Sequence, residues 1–227
     1  TIRIRGLACP PFAESMMGQL LREPALAEFL DGVRDAVSRH LRGDQDAQAM
    51  LQRAWSLAGI TWQRPCALGL FDVAAPAGGG PPQFTAAMLI DLGRDRAAFD
   101  EQLQGLLKAL EKKVPIVKAA VGDVAYSRIQ TIVGPCGLGY LGETFFLTLG
   151  AKAPEAVVTL AAGRARALSG SPEFVAAMRE VRGPSVQIAY YLDVARLFKV
   201  IDAFGGRGRA PVEAAGLFPA AEPRRII

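Results

Sequence analysis

Residues 84–110, FTAAMLIDLGRDRAAFDEQLQGLLKAL, decide the fold. The first third, 84–92, is apolar and β-prone. Leu92-Gly93 makes a hinge, and Asp95 stands where a helix N-cap belongs. Beyond it Phe99, Leu103, Leu106, Leu107 and Leu110 recur at helical spacing, so one face of a helix is apolar. A strand followed by an amphipathic helix is a unit whose two parts bury each other's apolar faces. The same cadence returns in 144–163 (TFFLTLGAKAPEAVVTLAAG) and in 186–204 (VQIAYYLDVARLFKVIDAF).

Working outward, 66–73 (CALGLFDV) reads as a strand that forms a hairpin with 84–92 across the Pro/Gly loop 74–83. Two strands over 115–121 and 124–133 flank Gly122-Asp123, a two-residue turn. A glycine-rich loop, 134–142, leads to the strand 145–149. Pro154 opens a helix expected to reach about Leu168. Ser171-Pro172-Glu173 starts another, with Ser171 as cap and Phe174, Val175, Met178 and Val181 on its buried face. The strand 186–192 precedes a helix capped by Asp193. On the N-terminal side, Pro24 starts a helix with Leu26, Phe29, Leu30, Val33, Val37 and Leu41 on one face. Asp44 caps a second, with Ala47, Met50, Leu51, Ala54 and Leu57, closed by Gly59. The expected fold is α+β: a mixed, largely antiparallel sheet covered by helices on one face, with repeated strand–helix units and an N-terminal helical hairpin. The expected division is an N-terminal helical segment over 1–59, an α+β core over 60–205 and a flexible exit over 206–227 toward a missing C-terminal part.

Composition narrows the function classes. The chain has 227 residues, 51% of them hydrophobic and 21% charged, enough for a core and inconsistent with disorder. Its 26 basic and 22 acidic residues are interspersed, and only 7% of residues are aromatic. A nucleic-acid binder gathers its cations on one face with aromatic platforms, so no nucleic-acid partner is expected. The longest weakly charged stretch, 65–90, is broken by Asp72 and by Gly and Pro, and is no membrane span. Three cysteines, Cys9, Cys66 and Cys136, make no C-x-x-C pair. They read as buried thiols, with a Cys66–Cys136 disulfide as the alternative in an oxidising compartment. The first residue is Thr and no signal-peptide segment comes after it. The end, EPRRII, reads as the start of another strand. The expectation is a piece of a larger polypeptide with further domains.

Each motif has a plainer reading beside the chemical one. Gly137–Gly142 (GLGYLG) matches G-x-G-x-x-G, the signature of a dinucleotide site. The next residues are the alternating ETFFLTL, so the helix N-terminus that would hold the phosphates is missing. A glycine-rich hairpin loop is the expectation, and Gly137→Ala with Gly139→Ala should then shift stability only modestly. His40, the single histidine, sits near a helix end, where it complements the dipole. One His and three scattered Cys supply no zinc site. Asp91, Asp95, Asp100 and Glu101 cluster in sequence, but nothing in the pattern forces two of them into one pocket. Lys108, Glu111, Lys112 and Lys113 form a solvated helix end. Ser169-Gly170-Ser171 is a cap rather than a nucleophile elbow. No catalytic, cofactor-binding or metal residue is assigned, and no cofactor is expected.

Several short segments are together similar to an uncharacterised bacterial family, the domain of unknown function 3352, found in exported and envelope-associated proteins of planctomycetes and myxobacteria. The matching positions are Ser15, Gly18, Leu20, Glu23, Pro24, Leu26, Phe29 and Leu30, then Gly150, then Leu168, Ser171, Pro172 and Phe174, and finally Tyr191 and Asp193. The resemblance implies an exported, periplasmic or envelope-associated protein. It transfers no catalytic residue, since the shared positions are caps and core. The expected function is a non-enzymatic binding or structural module of a larger exported bacterial protein; the alternative is a nucleotide- or cofactor-binding enzyme using Gly137–Gly142.

Overall fold

The computed structural model describes residues 2–4, 14, 16–74, 83–132, 134–165, 167, 170–181 and 188–190. Its strands are β1 (Ile2–Ile4), β2 (Cys66–Ala74), β3 (Gln83–Asp91), β4 (Ile116–Val121), β5 (Val124–Thr131), β6 (Gly134–Leu141), β7 (Thr144–Leu149) and β8 (Ile188–Tyr190). They form one sheet in the order β4-β5-β6-β7-β3-β2-β1-β8, and every pairing is antiparallel. The helices are α1 (Met16–Leu21), α2 (Pro24–His40), α3 (Gln45–Gln63), α4 (Arg96–Glu111), α5 (Ala153–Ala161) and α6 (Pro172–Val181). The fold class is α+β, as the sequence predicts.

The sheet is not covered on one face only. Side chains alternate across a strand, and β7 buries both of its sets: Phe145 on one face, Phe146 on the other. On the front face Phe145 and Ile90 pack with Phe99, Leu103 and Leu107 of α4, and Leu57 and Ile60 of α3 join them. On the back face Phe146 and Ala87 pack with Val157 of α5. Two apolar faces need two covers, which corrects the one-face expectation. Two of the three strand–helix repeats are present, as β3–α4 and β7–α5. β3 and β7 are antiparallel neighbours, so their helices leave from opposite ends of the sheet, and they settle on opposite faces. The third helix, 193–204, lies outside the described residues, as does the tail 206–227.

Local signals set several boundaries. The Asp44 carboxylate accepts a hydrogen bond from the Ala47 N–H at 2.9 Å, the cap expected of it. Replacing Asp44 with Ala should cost about 1 kcal/mol, read as a lower midpoint in urea; an unchanged midpoint would mean that α3 is held by packing alone. Gly59 does not close α3. The helix runs on to Gln63, because Ile60 packs into the front core and Pro65 disfavours helical geometry at Arg64. The expected division at 59/60 thus falls inside a helix, and β1 hydrogen-bonds to β2. α5 stops at Ala161, short of the expected Leu168; Gly163 there has φ +69°, a conformation that suits glycine and ends helices. The two helices of the N-terminal hairpin are present, but α3 packs against α4 and α2 has no buried residue.

The stretch expected as a glycine loop is strand β6, paired on both sides. The row Tyr126–Gly139–Phe146–Leu89 crosses four strands on the back face. Gly139 lets the rings of Tyr126 and Phe146 meet above it, 6.5 Å apart. A Cβ there would lie 2.5 Å from Phe146 Cζ and 2.9 Å from Tyr126 Cβ. A Cβ on Gly137 would lie 2.6 Å from Thr148 Oγ1 and 2.9 Å from Pro154 Cγ of α5. These glycines are where the sheet accepts its back-face cover.

Candidate functional site

The densest polar cluster of the described residues lies where α3 ends, α4 begins and β6 turns into β7. Pro65 stops α3 and leaves Arg64 at the helix end. The 3₁₀ turn Gly93–Asp95 delivers β3 into α4 and presents Asp95 to Arg64. Arg64 Nε donates to Asp95 Oδ2 at 2.8 Å, and Nη2 donates to the same oxygen. The expected cap role of Asp95 is therefore not taken: its carboxylate makes no cap hydrogen bond to α4, because the guanidinium holds it instead.

One turn into α4, Asp100 accepts from Tyr140 Oη at 2.9 Å and from Gln104 Nε2 at 3.2 Å. Tyr140 is on β6, on the front face between the glycines, with its ring 5.6 Å from that of Phe145. Arg96 lies over the Tyr140 ring, 5.0 Å from its centre, and approaches Glu143 at 3.9 Å. Burial, and then the Asp100 carboxylate as hydrogen-bond acceptor and as charge, push the Tyr140 phenol well above the ordinary tyrosine range, with Arg96 opposing. The phenol is thus held protonated, as a donor. Neither a base nor a nucleophile results from this arrangement: Asp95 and Asp100 are engaged as acceptors, and the arginine charges face acids. The cluster ties α3 to α4 and α4 to the sheet.

The phenol carries a pH signature. Its folded value is raised, so its share of stability is complete below the ordinary tyrosine value of 10.0 and is lost as pH rises above it. Thermal unfolding should fall with pH above 10.0, and fall less steeply in Tyr140→Phe. Parallel curves for the two proteins would remove this assignment. At neutral pH the same variant should lose about 1 kcal/mol, the net worth of one hydrogen bond.

Of the residues weighed in the sequence, Asp95 and Asp100 join this cluster while Asp91 and Glu101 are exposed outside it. His40 is the exposed last residue of α2. Ser171 Oγ accepts from the Phe174 N–H at 3.4 Å, the cap expected of it. Lys112 pairs with Asp46 at 3.1 Å, both exposed, linking the start of α3 to the end of α4. Cys66 and Cys136 are free. Register explains why: Cys66 is level with Ile90 and Phe145, whereas Cys136 is level with Leu149. They stand three strands apart and four residues out of step, on the order of 14 Å in each direction, far beyond the ~7 Å limit for a disulfide. Burial pushes the Cys66 thiol up. Among the described residues no group of His, Cys, Asp and Glu is placed to hold a metal ion, and no helix is long and apolar enough to cross a membrane. Sequence reasoning missed Arg64, Arg96, Tyr140 and Glu143; only Arg64, placed just before a proline, carried a local signal.

No family model, curated protein or solved structure matches this chain.

Proposed function

We propose that the chain is a non-enzymatic module of a larger exported bacterial protein, acting by binding or as a structural element. The observation that carries the non-enzymatic part is the contrast between polar and apolar surface. The charges at the start of α4 are consumed by each other. Large apolar side chains stay open to water: Phe29 at 64%, Leu70 at 59% and Trp62 at 55%. Exposed apolar side chains that group into patches mark surfaces that meet something, and an active site would show the reverse, with titratable groups left for substrate. The export part rests on the resemblance carried by Glu23-Pro24, Ser171-Pro172 and Phe174.

The nucleotide alternative has nothing in its favour. Gly137 and Gly139 are buried under Thr148, Pro154, Phe146 and Tyr126, and Leu141 leads through a two-residue turn into β7, not into a helix. Calorimetric titration with NAD, FAD and ATP should give no heat of binding; sub-millimolar affinity for any of them would overturn the non-enzymatic reading. Fractionation of the source cells should place the protein in the periplasm or envelope, and recovery in the cytosol would remove the export reading.

A further inference from the structure

α2 is amphipathic, yet its apolar face has no cover. Leu26, Phe29, Leu30, Val33 and Val37 form one stripe at 100° per residue. Phe29 is 64% exposed, Leu30 41%, and Val33 and Val37 39% each. The charges around the stripe are of both signs. Asp31 and Asp35 lie on the opposite side and are paired with Arg34, at 3.1 and 3.7 Å. Glu28, near the start, and Arg39, in the last turn, flank the stripe on the same side and are absent from the ion pairs of the described residues.

That pattern is its own complement when reversed. A two-fold axis through Val33, with two α2 helices antiparallel, brings Phe29 and Leu30 of one copy against Val37 of the other. Leu26 meets the far end of the partner stripe. Glu28 of each copy then falls beside Arg39 of the other, twice, because an isologous interface repeats every contact. The helix dipoles are antiparallel as well. A lipid surface is the poorer occupant, since membrane-lying helices carry a basic polar face and this one is acidic and basic in equal measure. We propose that α2 is a self-association surface, on which two copies of this chain pack antiparallel about Val33. The pairing does not depend on the function proposed above. One helix against another buries a small interface, which belongs to the weak, reversible class.

Sedimentation velocity of the full chain over a concentration series should show a reversible dimer with dissociation in the micromolar range. Val33→Asp should weaken it on the order of 100-fold by placing two unpaired carboxylates on the axis, with circular dichroism and melting unchanged because α2 buries nothing in the monomer. Glu28→Arg and Arg39→Glu should each weaken the dimer, and the double exchange should restore it. With the three native cysteines replaced by Ser, Val33→Cys should cross-link to itself under mild oxidation. A protein that stays monomeric at all concentrations would overturn the proposal, leaving the stripe to another partner or to another segment of this chain. So would a dimer indifferent to Val33→Asp, or a double exchange that fails to restore pairing.

Discussion

Phe146→Ala should lower the unfolding free energy by about 3–5 kcal/mol, a large share of the stability of a domain of this size. Phe146 is wholly buried and is the centre of the back-face core. Ala87 and Val157 pack against it, and the Tyr126 ring reaches it across Gly139. Deleting a ring costs the lost transfer energy and the cavity left behind. Here the cavity has no means of closing. On one side stands a glycine with no side chain to swing in. On the other stands α5, tied to the sheet by Pro154 and Val157, both buried. Denaturant unfolding should therefore show a much lower midpoint with the slope nearly kept. Val117→Ala on the edge strand β4, 48% exposed, serves as the control and should change little. A loss under about 1.5 kcal/mol for Phe146→Ala would mean that the back face is not a core, and α5 would lose its reason for lying there.

The elements legible in the sequence are those whose signal is local. The stripe Phe99–Leu103–Leu107 is buried as its spacing predicts, the Gly122-Asp123 turn joins β4 to β5, and Asp44 and Ser171 cap the helices they precede. What the sequence hides is non-local. Arg64 and Asp95 are 31 residues apart and Tyr140 and Asp100 are 40 apart, so no window contains either pair. The second face of the sheet is hidden for a different reason. Alternation in TFFLTL shows that two sets of side chains exist, but both are apolar or small, and a strand buried on both sides looks like one buried on either. At β6 composition itself misleads. Glycine is a loop signal when its freedom is used, and a packing signal when its size is. At Gly142, with φ +59°, it is the first; at Gly137 and Gly139 it is the second.

That distinction makes the largest reversal of expectation testable. The variant with both Gly137→Ala and Gly139→Ala should lose roughly 1–4 kcal/mol rather than shift modestly. Each added methyl enters occupied space, against Thr148 and the Pro154 ring at one site and between two aromatic residues at the other. Overpacking of this kind costs ~1–3 kcal/mol per site. Against it stands the entropy that alanine saves in the unfolded chain, ~0.5–1 kcal/mol each, so the steric cost wins. The two sites are close and share the α5 contact, so their costs need not add. The sign of the coupling at Gly139 is nonetheless fixed by geometry. Phe146→Leu removes the ring atoms that crowd the new methyl, so Gly139→Ala should cost less in a Phe146→Leu background than in the native one. A double-mutant cycle by urea unfolding measures the difference. Equal costs in both backgrounds, or a double alanine variant as stable as the parent, would mean that β6 bends away from the sheet as a loop does, and the packing account of its glycines would be lost.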